Sequence, residues 1–157
     1  MKKLMCTLLA LACVLGLTAC GGASGTEGRT PFTADDVQAI LDAGACSEEL
    51  EELDMDTAWM LFKLADYGLE RDSLTDGVYH RSAGGTCEEV ALLIFDSHES
   101  GQKAMEALAD YVTAQIEANK DYRPADIPKL EAAWRIQAGN TVLLAVVNDL
   151  EAAQGAV

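Results

Sequence analysis

His80 and Ser82 lie two residues apart, just before Ala83-Gly84-Gly85, and are the nearest the chain comes to a base, a nucleophile and an oxyanion turn. Alternate residues of a strand share a face, so both side chains would project the same way. No acid stands in the run to orient the imidazole, and hydrolysis needs all three groups in mutual geometry. A tight hairpin with glycine at positive φ accounts for the glycines by itself. His80 and His98 are the two histidines, and neither His-x-x-x-His nor Cys-x-x-Cys spacing occurs. They read as exposed polar residues, one on an edge strand and one at a helix start. The acids Glu48, Glu49, Glu51, Glu52, Asp54 and Asp56 could draw Ca²⁺, but the run lacks the alternating ligands and glycine of a calcium loop. It reads as a solvated helix face. No Gly-x-Ser-x-Gly, phosphate-binding loop, His-Glu-x-x-His or dinucleotide fingerprint is present. Glu88 and Glu89 open an apolar run, and one of them is expected to face inward and pair with Arg81 or Arg135. On these grounds no catalytic, cofactor-binding or metal-ligating residue is assigned.

The elements that would position these residues follow from periodicity. Thr33 with Asp35 and Asp36 marks a helix start, Val37, Ile40 and Leu41 form one stripe, and Gly44 is a stop, giving a helix over 33–43. Residues 47–65 read as one or two short helices. Strands are expected at 77–82, 90–95, 133–138 and 141–147, joined in hairpins at Ala83-Gly84-Gly85 and Gly139-Asn140. Between the hairpins, His98 to Lys120 has helical period, with Ala104, Met105, Leu108, Val112 and Ile116 on one stripe. Pro124 and Pro128 end it. Runs 90–95 and 141–147 are apolar on both pleat faces, so they belong at the centre of a sheet covered on both sides. The expected fold is α+β: a four-stranded antiparallel sheet (ββαββ, order 1-2-4-3), the long helix on one face and the N-terminal helices covering the other. Leu92, Ile94, Leu144 and Val146 should be buried, the second and fourth strands adjacent, and Trp59 and Trp134 at the core or its margin; Tyr122-Arg123-Pro124 reads as a helix stop whose Tyr122 plugs the core, in preference to a recognition loop.

The N-terminus carries an address. Lys2 and Lys3 precede an apolar run, Leu4 to Leu17, and then comes Leu17-Thr18-Ala19-Cys20-Gly21-Gly22. This resembles a bacterial lipobox. The resemblance implies diacylglycerol on the Cys20 sulfur and cleavage before Cys20, so that acyl chains, at about 0.8 kcal/mol per buried CH₂, replace the peptide as anchor. Residues 1–19 are then a lipoprotein signal peptide, 20–31 a Gly/Ser/Thr-rich tether, 32–150 a single α+β domain and 151–157 a C-terminal tail. Half of the 157 residues are hydrophobic, which argues against wholesale disorder. With 26 Asp+Glu against 11 Lys+Arg the net charge is −15, which excludes nucleic acid or anionic lipid bound through a basic patch.

Several segments carry a further resemblance: Tyr67-Gly68-Leu69, Ser82-Ala83-Gly84-Gly85-Thr86-Cys87-Glu88-Glu89-Val90-Ala91, Tyr122-Arg123-Pro124, Pro128-Lys129-Leu130 and Gly139-Asn140-Thr141-Val142-Leu143-Leu144. In this order, behind a lipobox, the chain resembles the domain-of-unknown-function 4358 family of bacterial lipoproteins over residues 65–148. Cys87 stands where the family pattern leads one to expect a small residue such as Ala. The resemblance brings no established activity and no catalytic role.

The expectation is therefore a lipid-anchored protein of the cell membrane facing the extracytoplasmic side. It would touch the membrane through Cys20, bind no nucleic acid, and serve as a non-catalytic binding or interaction module with an envelope partner. The alternative is an envelope hydrolase with an unrecognised site. With residues 1–19 removed and Cys20 acylated, Cys46 and Cys87 are left as a pair in an oxidising setting. They can form a disulfide or remain two buried thiols.

Overall fold

A computed structural model of the chain describes residues 24–25 and 29–157. Residues 1–19, expected to be a signal peptide, Cys20 and most of the expected tether 20–31 lie outside the described residues. Helix α1 (Ala34–Asp42) is opened by Asp36, whose carboxylate accepts from the Thr33 N–H at 2.6 Å and the Thr33 hydroxyl at 3.0 Å. It ends before Gly44, which takes φ +70°. Strand β2 (Glu51–Leu53) leads to α2 (Met55–Leu61), capped by Asp54, which accepts from the Thr57 N–H at 2.7 Å. Two 3₁₀ turns, Leu64–Tyr67 and Arg71–Ser73, precede the hairpin of β3 (Leu74–Arg81) and β4 (Glu89–Phe95). The long helix α3 (His98–Asn119) and the short α4 (Ile127–Glu131) precede the hairpin of β5 (Trp134–Ala138) and β6 (Thr141–Val146), and α5 (Leu150–Gly155) follows.

The sheet is antiparallel with five strands in the order β2-β3-β4-β6-β5, and the two-residue β1 (Ser24–Gly25) adds in parallel outside β5. This corrects the four-stranded 1-2-4-3 expectation. The extra strand falls in 47–65, where short helices were expected. Glu51 and Glu52 pair across β2–β3 with Arg81 and His80, and helix starts only at Met55. Opposite charges face each other at Glu51 and Arg81, a pairing that favours the strand although the segment has no strand-like sequence of its own. The acids also suit an outer strand, since charge discourages edge-to-edge association.

Alternation along β4 and β6 divides the core in two. Ala91, Leu93, Phe95, Val142, Leu144 and Val146 face α3, whose Ala104, Leu108, Tyr111 and Val112 pack on them together with Ala58 and Phe62. Val90, Leu92, Leu143 and Ala145 face the other way, onto Phe32, Val37, Ile40 and Ala153. The cover of the second face thus differs from expectation. Only α1 of the N-terminal helices lies there, α2 joins α3, and α5, formed largely by residues assigned to the tail 151–157, completes the layer. Ile94 is half-buried rather than buried, because its pairing with Thr141 is the last rung of the β4–β6 ladder. Among the described residues no helix is long and apolar enough to cross a membrane.

Candidate functional site

The β3–β4 connection is shaped by side chains. The Ser82 hydroxyl accepts from the N–H groups of Gly84 (3.2 Å) and Thr86 (2.9 Å) and donates to Glu48 at 2.5 Å, and Thr86 also donates to Glu48 at 2.8 Å. Gly84 takes φ +117°, a conformation side chains resist. The chain leaving α3 grips this loop: the N–H groups of Tyr122 and Arg123 both bond the Asn119 carbonyl, and the Arg123 guanidinium donates to the carbonyls of Gly84 and Thr86. Between loop and helix end lies a cavity of about 350 Å³ whose walls include Arg81, Ser82, Gln115, Asn119, Tyr122 and Arg123. Two of the segments singled out in the sequence, Ser82–Ala91 and Tyr122–Pro124, therefore meet in space.

Two carboxylates, Glu88 and Glu89, are buried where the loop enters β4. Glu89 accepts from the Tyr79 hydroxyl at 2.6 Å and the Tyr111 hydroxyl at 3.0 Å, and the Arg81 Nε lies 3.8 Å from the same oxygen. Burial raises the Glu89 carboxyl above its ordinary value, against the pull of its hydrogen bonds and of Arg81. Burial first, and then the neighbouring carboxylate, push both phenols up. Glu88 accepts from the Ser47 N–H (2.8 Å), the Ser47 hydroxyl (2.7 Å) and Lys129 Nζ (2.6 Å), and Lys129 also reaches Asp126 at 3.4 Å. A buried charge is tolerable only when paired and hydrogen-bonded, and each carboxylate meets that condition.

A larger groove of about 710 Å³ runs between the Leu61–Tyr67 segment and α3. On the helix, Ala107, Tyr111, Ala114 and Ala118 share a face at i, i+4, i+7 and i+11, and the three alanines leave the trough. Phe62 and Tyr111 form the floor, their rings edge-to-face at 4.9 Å. The rim carries Lys63, Asp66 and Asp110, and the Tyr67 hydroxyl donates to Asp110 at 2.5 Å, a bond that pushes the phenol up. Lys63 is the one described non-glycine residue at positive φ (φ 51°, ψ 41°), a strained conformation of the kind that gathers at functional positions. Gln115 lines both cavities.

The remaining sequence expectations sort plainly. Ser82 bonds to Glu48 and not to His80, which is half-buried beside Cys46 and Glu48 in another cavity; β3 is no edge, because β2 flanks it. His98 is exposed, its Nδ1 2.8 Å from the Gly139 carbonyl. The acids 48–56 do not form a helix face: Glu51 and Glu52 are in β2, Asp54 caps α2, and Asp56 pairs with Arg71 at 2.7 Å. Glu89 pairs with Arg81, while the buried Nε of Arg135 has no hydrogen-bond partner among the described residues. Tyr122 is 80% exposed and plugs nothing, because Arg123 rather than Tyr122 anchors the turn. Trp59 and Trp134 are half-buried at the margins of the two core layers. Cys46 and Cys87 are free thiols, and the disulfide considered between them is absent: Cys46 packs with the α1 layer and Cys87 with the α3 layer. Among the described residues no three His, Cys, Asp or Glu side chains are grouped to hold a metal ion. The groove and the Glu88–Lys129 pair went unread in the sequence, although the alanine spacing on α3 was a signal for the first.

Loop, clamp, buried carboxylates and groove all sit on one α+β domain with an antiparallel sheet. Residues 49–147, which hold nearly all of them, match the Domain of unknown function (DUF4358) family, and the chain belongs to that family. No match was found among curated proteins or among solved structures.

Proposed function

We propose that the protein is a lipid-anchored, extracytoplasmic binding module of the cell envelope, held at the membrane through Cys20 and engaging its ligand or partner without turning it over. The observation that carries the binding reading is the 710 Å³ groove against α3. It falls in the size range of ligand sites and combines an apolar floor with a few convergent polar groups, Lys63, Asp66, Asp110 and Gln115. The anchor rests on Leu17-Thr18-Ala19-Cys20. The Ser82 hydroxyl donates to Glu48, accepts from the loop N–H groups and is not bonded to His80.

Two arms test it. Cys20→Ala should release the protein from the membrane fraction or leave the unprocessed precursor, and the wild-type mass should show diacylglycerol; a mature N-terminus other than Cys20, without lipid, refutes the anchor. A photo-crosslinking residue at Ala114 in the groove should give adducts in native membranes, while one at the exposed Gln102 of α3 should not. No adduct from Ala114 refutes the groove.

A further inference from the structure

The smaller cavity, between the Ser82–Glu88 loop and the end of α3, has a charge unlike the rest of this acidic chain. Two of its 11 Lys+Arg, Arg81 and Arg123, line the same 350 Å³, and among the described residues no Asp or Glu lines it. The groove, by contrast, sets Asp66 and Asp110 against Lys63, and the cavity beside His80 is walled by Asp42, Glu48 and Glu49.

The two guanidiniums differ in what they already hold. Arg123 is engaged by the carbonyls of Gly84 and Thr86 and so forms a fixed wall. Arg81 makes no side-chain hydrogen bond to a described residue. Its closest partner is Glu89, 3.8 Å from Nε, and its side chain is 32% exposed. Glu89 is fixed from behind by Tyr79 and Tyr111, both buried. A guanidinium aligned by a buried carboxylate on one side, with its other donors open to a cavity, is arranged to receive a planar two-oxygen acceptor. Arg81 and Arg123 give the cavity a positive wall, and the open donors of Arg81 suit one carboxylate. At the rim, the exposed Tyr122 ring offers an apolar face.

We propose that this cavity binds small molecules or chain ends through a single carboxylate, received by Arg81 opposite Arg123 and covered by Tyr122. The assignment rests on the binding reading above and names a ligand chemistry for the cavity that adjoins the groove at Gln115. A peptide C-terminus and a sugar acid both present this group.

The test is calorimetric titration of the full chain, extracted from membranes in detergent. The probes are N-acetyl-alanyl-alanine with a free carboxylate, the same dipeptide as its C-terminal amide, glucuronate and inorganic phosphate. The free acid should bind and the amide should bind about tenfold more weakly or worse, as expected when a charge-assisted hydrogen bond is removed. Arg81→Gln should show a similar loss, Arg81→Lys a smaller one, and Lys103→Gln on the exposed side of α3 none. Glucuronate binding as well as the dipeptide supports recognition of the carboxylate itself, and dipeptide binding alone supports a chain end as its source. Acid and amide binding equally, phosphate outcompeting both carboxylates, or binding unchanged in a folded Arg81→Gln protein would overturn the proposal. The acid–amide comparison needs only the wild type, so it decides even if the variant fails to fold. If no carboxylate binds while Ala114 still cross-links, the ligand assignment falls and the groove reading stands. Carboxylate binding without Ala114 adducts does the reverse.

Discussion

The Tyr79 hydroxyl donates to Glu89 at 2.6 Å across the β3–β4 pair, in a place where neither side chain meets solvent. The two are diagonal neighbours in the ladder, since Arg81 stands directly opposite Glu89 and Ala91 opposite Tyr79. Phe62 packs against both Tyr79 (5.2 Å between centroids) and Tyr111 (4.9 Å), closing an aromatic shell around the carboxylate. The fold thus places one acid where water cannot solvate it and aims the resulting field at Arg81, on the wall of the cavity.

The arrangement has a pH signature. Burial raises the folded Glu89 above its ordinary value of 4.5, so the native state holds this proton more tightly than the unfolded chain does. The stability associated with this proton is full below that ordinary value and is lost as pH rises through the folded value. Glu89→Gln keeps the shape and removes the titration. The wild-type stability minus that of Glu89→Gln, from urea unfolding between about pH 4 and pH 8, should therefore fall with pH. A flat or rising difference contradicts a raised Glu89.

The central strands were legible because Val90–Phe95 and Thr141–Val147 are apolar on both faces, a pattern that only a doubly covered strand satisfies. Glu51-Glu52-Leu53 was not, because nothing local in two acids and a leucine favours a strand; its partners on β3 decide it. Tyr122 misled for a related reason. Buried aromatics are common, but whether this one is buried depends on Arg123 reaching Gly84, about forty residues away in the chain. The same long-range contact brings the two cavity segments together, so each half of the candidate site could be noticed in the sequence and their meeting could not.

Burial within the sheet predicts unequal costs for similar truncations. Leu144 is fully buried at the middle of β6, opposite Ala91, so Leu144→Ala should cost about 2–5 kcal/mol. Ile94→Ala, at the half-buried end of β4, should cost clearly less. Denaturant midpoints of the two variants at unchanged m-value check the ranking, and equal losses would contradict the layer assignment.

Two glycines should respond oppositely to alanine. A Cβ at Gly77 would overlap the Leu92 carbonyl oxygen of the neighbouring strand and come within 2.6 Å of Met55 Sδ. Backbone cannot yield as a side-chain end can, so Gly77→Ala should destabilise by about 1–3 kcal/mol. Gly155, in the last turn of α5, has nothing within 4 Å of such a Cβ, and Gly155→Ala should stabilise by a few tenths of a kcal/mol up to about 1. Thermal unfolding of both variants reads the signs.

The thiols give the last prediction. Cys46 is pushed up to about 11, first by burial and then by the charge of Glu88; Cys87 is raised as well, by burial and then by Asp126. Only the thiolate attacks an alkylating agent, and at pH 8 about one thousandth of Cys46 is ionised at that value. The two side chains pack in different layers of the core, and both are free thiols in the structure. Non-reduced mature protein should therefore carry both thiols in full. Each should react slowly with iodoacetamide in the folded state, faster as pH rises toward 11, and at the rate of an ordinary cysteine once the chain is unfolded in urea. Mass spectrometry of the intact and alkylated protein decides it. A mass lower by two hydrogens, with no thiol released until reductant is added, would show the disulfide that the structure lacks. Rapid labelling of the folded protein at pH 8 would show that burial does not protect these groups.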